Sequence, residues 1–281
     1  MSTLQTTTST ARPLAQAGDT YFETDTKNII VYDGSYWRGY ENDGASGWSG
    51  SNSYSLNFDG TDDYTTSTFD PSTLGTGDFS VSLWFKAAVT GVTHHLFYLG
   101  DSTANQDYAN LNIRNTNILR LQLGQWSGGA AVARAESTNT ISSGTWYHVL
   151  CQREGTTIKI FVNNTEWATV TDSDANTANF GTSSFFGTFR NTTGWYDGKM
   201  DEVSIYDKVL SSSERTTLYS SGTPDNVMSL SPVAWYRMGD GIEAQSGTTV
   251  YDMSSFSNHM TIVNATGGTN TAGAAYEADT P

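Results

Sequence analysis

Acidic side chains collect at two turn-like stretches of the chain. Asp59, Asp62 and Asp63 form one group, and Asp172 and Asp174 form another. Carboxylate oxygens are hard donors, so both groups are candidate calcium ligands. The competing reading is solvated turns, common in a chain with 29 carboxylates. Asp201 and Glu202 are the nearest thing to a catalytic acid pair. A retaining glycosidase needs two carboxyls about 5 Å apart on one face of a cleft. Neighbours on a strand point to opposite faces, so these two are not expected to act together. The four histidines are His94, His95, His148 and His259. His148 sits in an alternating run and reads as structural, and two adjacent histidines do not build a zinc site alone. Cys151, the single cysteine, stands in a strand-like run as a small hydrophobe. Tyr108, Trp126 and Trp195 lie in or beside polar loops, with Asn191 close to Trp195. Exposed aromatic faces beside amides and carboxylates are what a site for a small polar ring, such as a sugar, requires. The alternatives are a satellite core for Trp195 and a subunit contact for Trp126.

The elements that must position these groups are strands. Phe79-Ser80-Val81-Ser82-Leu83-Trp84-Phe85 and Leu119-Arg120-Leu121-Gln122-Leu123 alternate apolar with polar residues. Trp146 to Cys151 and Ile158 to Val162 flank Glu154-Gly155, and Asn163-Asn164 leads into Glu166 to Val170. Gly and Asn tolerate the positive φ such hairpin turns need. Many short strands with polar turns predict an all-β antiparallel sandwich or barrel. One short helix is expected near 211–221, opened by the capping box Ser211-Ser212-Ser213-Glu214 and stopped at Gly222. Residues 1–18 read as an arm. Tyr21 to Thr24 and Ile29 to Tyr32 read as a hairpin, which by itself is marginal in water. Three regions follow: 1–45, arm and hairpin; 46–222, the sandwich; 223–281, a C-terminal extension packing on it.

The formal net charge is −15, from 14 basic and 29 acidic residues. Such a surface repels phosphate backbones and gives no footing on anionic lipid, so no nucleic-acid or membrane partner is expected. No apolar run reaches the length of a membrane span. One cysteine excludes an intrachain disulfide. The opening MSTLQTTTST lacks the features of a secretory signal, so folding in a cytoplasm is expected.

Four ordered segments resemble the concanavalin A-like, laminin-G type jelly roll. They are Leu56 to Tyr64, Phe79 to Lys86, Trp146 through Asn164, and Asp197 to Tyr206 followed by Leu210-Ser211. The resemblance spans about residues 51 to 222. It implies two curved antiparallel sheets, glycan or protein binding, and often a calcium ion at one rim. Sandwich glucanases of this fold carry a Glu-x-Asp-x-x-Glu spacing that occurs nowhere in this chain, so no enzymatic activity is expected. The stretch from Gly18 to Trp37 resembles a hairpin motif of tailed-phage fibre and virion proteins, and Ser231 to Asp240 resembles a tail found in marine phage structural proteins. This second resemblance implies a non-enzymatic structural protein on the outer surface of a virion: a decoration, knob or fibre component. It implies attachment to other virion proteins through Tyr21, Phe22, Tyr32 and Trp37, possible contact with host glycans, and homo-oligomers. A stand-alone carbohydrate-binding module is the alternative.

Overall fold

The computed structural model describes residues 5–7, 20–23, 28–32, 37–41, 52–101, 107–125, 131–240, 248–264 and 276–281. The chain divides into two compact units, Met1–Ser51 and Asn52–Pro281. The first is a sheet of β1 (Gln5–Thr7), β2 (Thr20–Glu23), β3 (Asn28–Tyr32) and β4 (Trp37–Glu41), in that spatial order. The expected hairpin is β2–β3, with Tyr21 opposite Ile30. Part of the stretch read as an arm is a strand: Gln5–Thr7 pairs in parallel with β2. Gln-Thr-Thr carries enough β-propensity to extend a sheet edge once a partner strand is present.

The second unit opens with β5 (Ser55–Asp59), β6 (Asp63–Ser67), β7 (Phe79–Ala87), β8 (His94–Gly100) and β9 (Asp107–Ile113). It continues through β10 (Ile118–Gln125), β11 (Ala131–Thr140), β12 (Tyr147–Glu154), β13 (Thr157–Val162) and β14 (Thr165–Thr171). After β15 (Ser184–Phe186) and β16 (Asp197–Tyr206) comes α1 (Ser212–Tyr219), the one α-helix among the described residues. Last are β17 (Ala234–Tyr236), β18 (Thr249–Val250), β19 (Met260–Asn264) and β20 (Tyr276–Glu277). One sheet runs β11-β10-β9-β8-β15-β6-β19-β18; the other runs β14-β13-β12-β7-β16-β5-β20, with β17 paired to β16. The fold is an all-β antiparallel sandwich with one short helix. Residues 223–281 supply strands to both sheets.

Alternation makes the core. Leu119, Leu121 and Leu123 of β10 and Ala109, Leu111 and Ile113 of β9 face Val81, Leu83, Phe85, Val149 and Ile160 of the opposite sheet. Cys151 is fully buried among them. Asn163 and Asn164 take φ of 48° and 61° in the β13–β14 turn, as the hairpin chemistry requires. The capping box at α1 is present in both directions: Ser211 Oγ accepts from Glu214 N, and Glu214 Oε2 accepts from Ser211 N at 2.8 Å. The helix ends at Ser220, in the left-handed region at φ 44°, two residues before Gly222.

The two sheets differ on their outer faces. On the β12–β7–β16 sheet the outer face is sealed. Leu150, Phe161, Tyr206, Leu210, Leu218, Leu230 and Trp235 form a second apolar cluster under α1 and the chain that follows. On the β9–β8–β15 sheet the outer face carries a separate cluster of Tyr98, Tyr108 and Phe185, with Tyr64 and Phe189 against it.

Candidate functional site

Strand register lines up the outer face of the second sheet in rows. Arg134, Gln122, Asn110, Tyr98, Phe185 and Thr66 stand side by side across six strands. The neighbouring row reads Glu136, Arg120, Asn112 and His95. On the other side Tyr108 lies between Gly100 and Gly124. A Cβ at Gly124 would come within 2.8 Å of the Tyr108 Cζ and hydroxyl, so the glycine lets the tyrosine ring lie flat over the neighbouring strand. There Gln122 Nε2 donates to the Tyr108 hydroxyl. Tyr98 and Tyr108 stack at 5.2 Å, Tyr98 and Phe185 meet at 6.4 Å, and Tyr64 meets Phe185 at 6.2 Å. Burial pushes the Tyr98 and Tyr108 hydroxyls up, so neither ionises near neutrality.

The connection from β15 to β16 folds over this face as a tight hairpin. Phe189 pairs with Thr193, and Arg190, Asn191 and Gly194 all adopt positive φ. Two histidines anchor it. His94 Nδ1 lies 3.0 Å from the Trp195 carbonyl, and His95 N donates to the Gly194 carbonyl at 3.1 Å. The His95 ring meets Phe189 at 4.8 Å, and its Nδ1 lies 3.0 Å from Asn110 Oδ1. Burial lowers the His95 pKa to about 4, so the anchor is neutral at physiological pH. Phe189 also sets its edge against Tyr98 and Tyr108 at 5.2 and 6.2 Å, and Trp195 meets Tyr64 at 5.8 Å. The result is a half-buried aromatic wall, Phe189 and Trp195, beside a floor of amides and guanidinium groups.

Tyr108, Asn191 and Trp195 are thus brought to one face. Their exposures differ. Tyr108 is buried beneath Phe189 rather than displayed on a loop, because it is the second residue of β9, with its side chain outward under the hairpin. Trp195 is half-buried, and Asn191 is exposed at the hairpin tip. Trp126 lies outside the described residues. Tyr64, Phe185, Phe189, Arg120 and the two histidines went unnoticed as a group. Their sequence signal was the polar and aromatic half of each alternating strand. Among the acids, Asp59, Asp62 and Asp63 do converge, with one carboxylate oxygen of each within 4.8 Å of the others. Burial, then the Asp59 charge and less so Asp62, pushes the Asp63 carboxyl up to about 6. Asp172 and Asp174 do not join them. They form a turn of their own after β14, five strands from β5 in that sheet, with Asp174 N donating to Asp172 Oδ1 at 3.0 Å.

The family model described as the concanavalin A-like lectin/glucanases superfamily matches residues 59–214. The chain belongs to that superfamily. This concanavalin A-like module is similar in fold to a candidate carbohydrate-binding protein from Bacteroides ovatus, with a TM-score of 0.55, 16% identity, and 90% of this chain and 71% of that one covered. A heptameric SAP-like pentraxin from Limulus polyphemus gives a TM-score of 0.48 at 16% identity, over 61% of this chain and 84% of its own. The CBM40 of a Ruminococcus gnavus IT-sialidase, solved with α2,3-sialyllactose, gives 0.46 at 18% identity, over 60% of this chain and 99% of its own. At these identities the likeness is one of fold. No curated protein matches the sequence.

The chemistry-bearing residues on the module's other sheet are enclosed. The alternation expected at Asp201-Glu202 is broken by a bulge, with Glu202 at φ 47°. Both carboxylates are buried, so they lie side by side in the interior rather than across a cleft. Glu202 accepts from Trp235 Nε1 at 2.6 Å and Arg237 Nε at 3.2 Å. Burial and the mutual charge raise Asp201, and burial raises Glu202 against the pull of Arg237. His148 Nε2 lies 2.7 Å from Ser82 Oγ, but the ring is buried between Trp84 and Tyr219, and burial lowers its pKa to about 3.

Proposed function

We propose that this module is a non-enzymatic, lectin-like binder of glycans, and that the ligand lies along the Phe189–Trp195 hairpin on the outer face of the β9–β8–β15 sheet. The observation that carries the reading is the half-buried aromatic pair Phe189 and Trp195 on the same sheet face as Gln122 and Arg134. Sugar rings are apolar on their faces and polar at their edges, which is the pairing this surface offers. The enclosure of Asp201 and Glu202 supports binding rather than hydrolysis. The Asp59–Asp62–Asp63 cluster is proposed to hold calcium, as its hard donor set suits, one residue from Tyr64.

Glycan-array screening of the whole chain, followed by calorimetry, tests this. Trp195→Ala is expected to weaken the best ligand by roughly tenfold, about 1.4 kcal/mol, with little change in melting temperature. Removal of calcium by EDTA is expected to lower the melting temperature. Absence of binding to any glycan, or unchanged affinity in Trp195→Ala, overturns the reading. A flat melting profile with EDTA removes the calcium.

A second reading adds a place for the module on a virion surface, held through Tyr21, Phe22, Tyr32 and Trp37. The separate compact unit at 1–51, with these residues in β2, β3 and β4, favours it. The remaining support is the sequence resemblance alone. The test is particle incorporation by a chain lacking residues 1–51.

A further inference from the structure

The chain is strongly acidic, yet the open side of the candidate face is basic. Arg120 points outward from β10 between the core residues Leu119 and Leu121, and register places Arg134 diagonally beside it on β11. Arg114 follows β9, and Arg190 is on the hairpin. Among the described residues Arg120 has one carboxylate within reach, Glu136, at 3.8 Å and beyond hydrogen-bond distance. Its side chain is only 14% exposed, against 43% for Glu136. Its Nε is buried with no hydrogen-bond partner among the described residues. Opposite it on β9, Asn112 is fully buried: Nδ2 donates to Asn110 Oδ1 at 2.7 Å, and Oδ1 has no partner among the described residues.

A guanidinium in this position has lost much of its water without gaining a full partner. Burial lowers its pKa, and the like charges of Arg114 and Arg134 lower it further, with only partial relief from Glu136 and Tyr108. An anion placed here recovers that cost. The guanidinium fork accommodates the two oxygens of a carboxylate or sulfate side by side. The adjoining Phe189 ring and the half-buried Gln122 amide suit a hydroxylated ring attached to that anion. A long polyanion is disfavoured by the net charge of −15.

We propose that the ligand is an acidic glycan, its carboxylate or sulfate seated on Arg120 and Arg134 while its ring lies against Phe189. This rests on the glycan reading above and adds the ligand's charge to it.

The test uses the whole chain and matched sets of glycans with one sugar core, either neutral, uronic- or sialic-acid-terminated, or sulfated. The acidic members are expected to bind roughly tenfold more tightly than their neutral parent, about 1.4 kcal/mol. That ratio is expected to collapse in Arg120→Gln and to shrink as sodium chloride rises from about 50 to 500 mM. Should Arg120→Gln melt early, Arg134→Gln serves in its place, because Arg134 is exposed. Equal affinity for acidic and neutral members overturns the acidic preference and leaves the glycan reading intact. Inorganic polyphosphate bound as tightly as the acidic sugars also overturns it. Failure of all members, neutral and acidic, overturns the glycan reading together with this one.

Discussion

Single side chains do two different things in this molecule. Arg153 shows how a charge can be purely structural. It is fully buried between Phe79 and Phe180, at 5.0 Å from each ring, and donates to the carbonyls of Gly75, Gly77 and Ala178. Its donors are spent on backbone, whereas the Nε of Arg120 has no partner among the described residues. Asp279 holds the C-terminal end with Lys199 Nζ at 2.6 Å, Lys86 Nζ at 2.9 Å and Trp146 Nε1 at 3.2 Å. Burial alone would raise its pKa, but these donors outweigh burial and hold it at about 2. A carboxyl whose pKa is depressed on folding stabilises above its unfolded value and loses that contribution as the pH falls toward the folded one. Asp279→Asn is therefore expected to lower the urea midpoint at pH 7. The gap from the parent is expected to narrow as pH drops from about 4 to about 2. A gap of constant size across that window counts against the assignment.

At the scale of elements, the β15–β16 hairpin decides the site. It covers one flank of the aromatic cluster and leaves Arg120 and Arg134 at the open side. Its conformation depends on Gly194, at φ +66°, where a Cβ would overlap the His95 ring. Gly91 is the natural comparison: its φ is +84°, and a Cβ there meets nothing within 4 Å. Gly91→Ala bears only the left-handed backbone cost, about 1–2 kcal/mol. Gly194→Ala adds overpacking, typically about 1–3 kcal/mol more. Gly194→Ala is expected to melt several degrees below Gly91→Ala and to lose glycan binding, which Gly91→Ala keeps. Equal melting of the two variants would show that the hairpin is free to shift off His95.

At the scale of the whole molecule, the chain is two compact units, and the candidate site belongs to the second. All sheet pairings of β5 through β20 are made within residues 52–281. A chain starting at Asn52 is expected to keep its melting transition and its glycan affinity. If the virion reading holds, the same chain fails to join particles. Loss of cooperative melting on truncation would instead make residues 1–51 part of the sandwich's stability. The C-terminal residues are not dispensable in the same way. β17 pairs with β16, β19 with β6, and β20 with β5, so they close both sheets.

The chain's own alternation determined the sandwich. Leu119-Arg120-Leu121-Gln122-Leu123 assigns each side chain to core or surface before any partner strand is known, because the strand period is two. The Asn163-Asn164 turn and the Ser211–Glu214 capping box are local in the same sense, since each is built from residues a few positions apart. The acid cluster at Asp59, Asp62 and Asp63 was legible for that reason too. Where the second group, Asp172 and Asp174, lies relative to it is not local: only sheet order shows that four strands stand between β14 and β5. The site itself came from register. His95 and Phe189, or Arg120 and Arg134, become neighbours only when β8, β9, β10 and β11 align and the hairpin folds back over them. The bulge at Glu202 likewise defeated a period-two reading of Asp201 and Glu202. Pairing between distant segments is set by the packing of the whole core, and no local pattern of residue types encodes it.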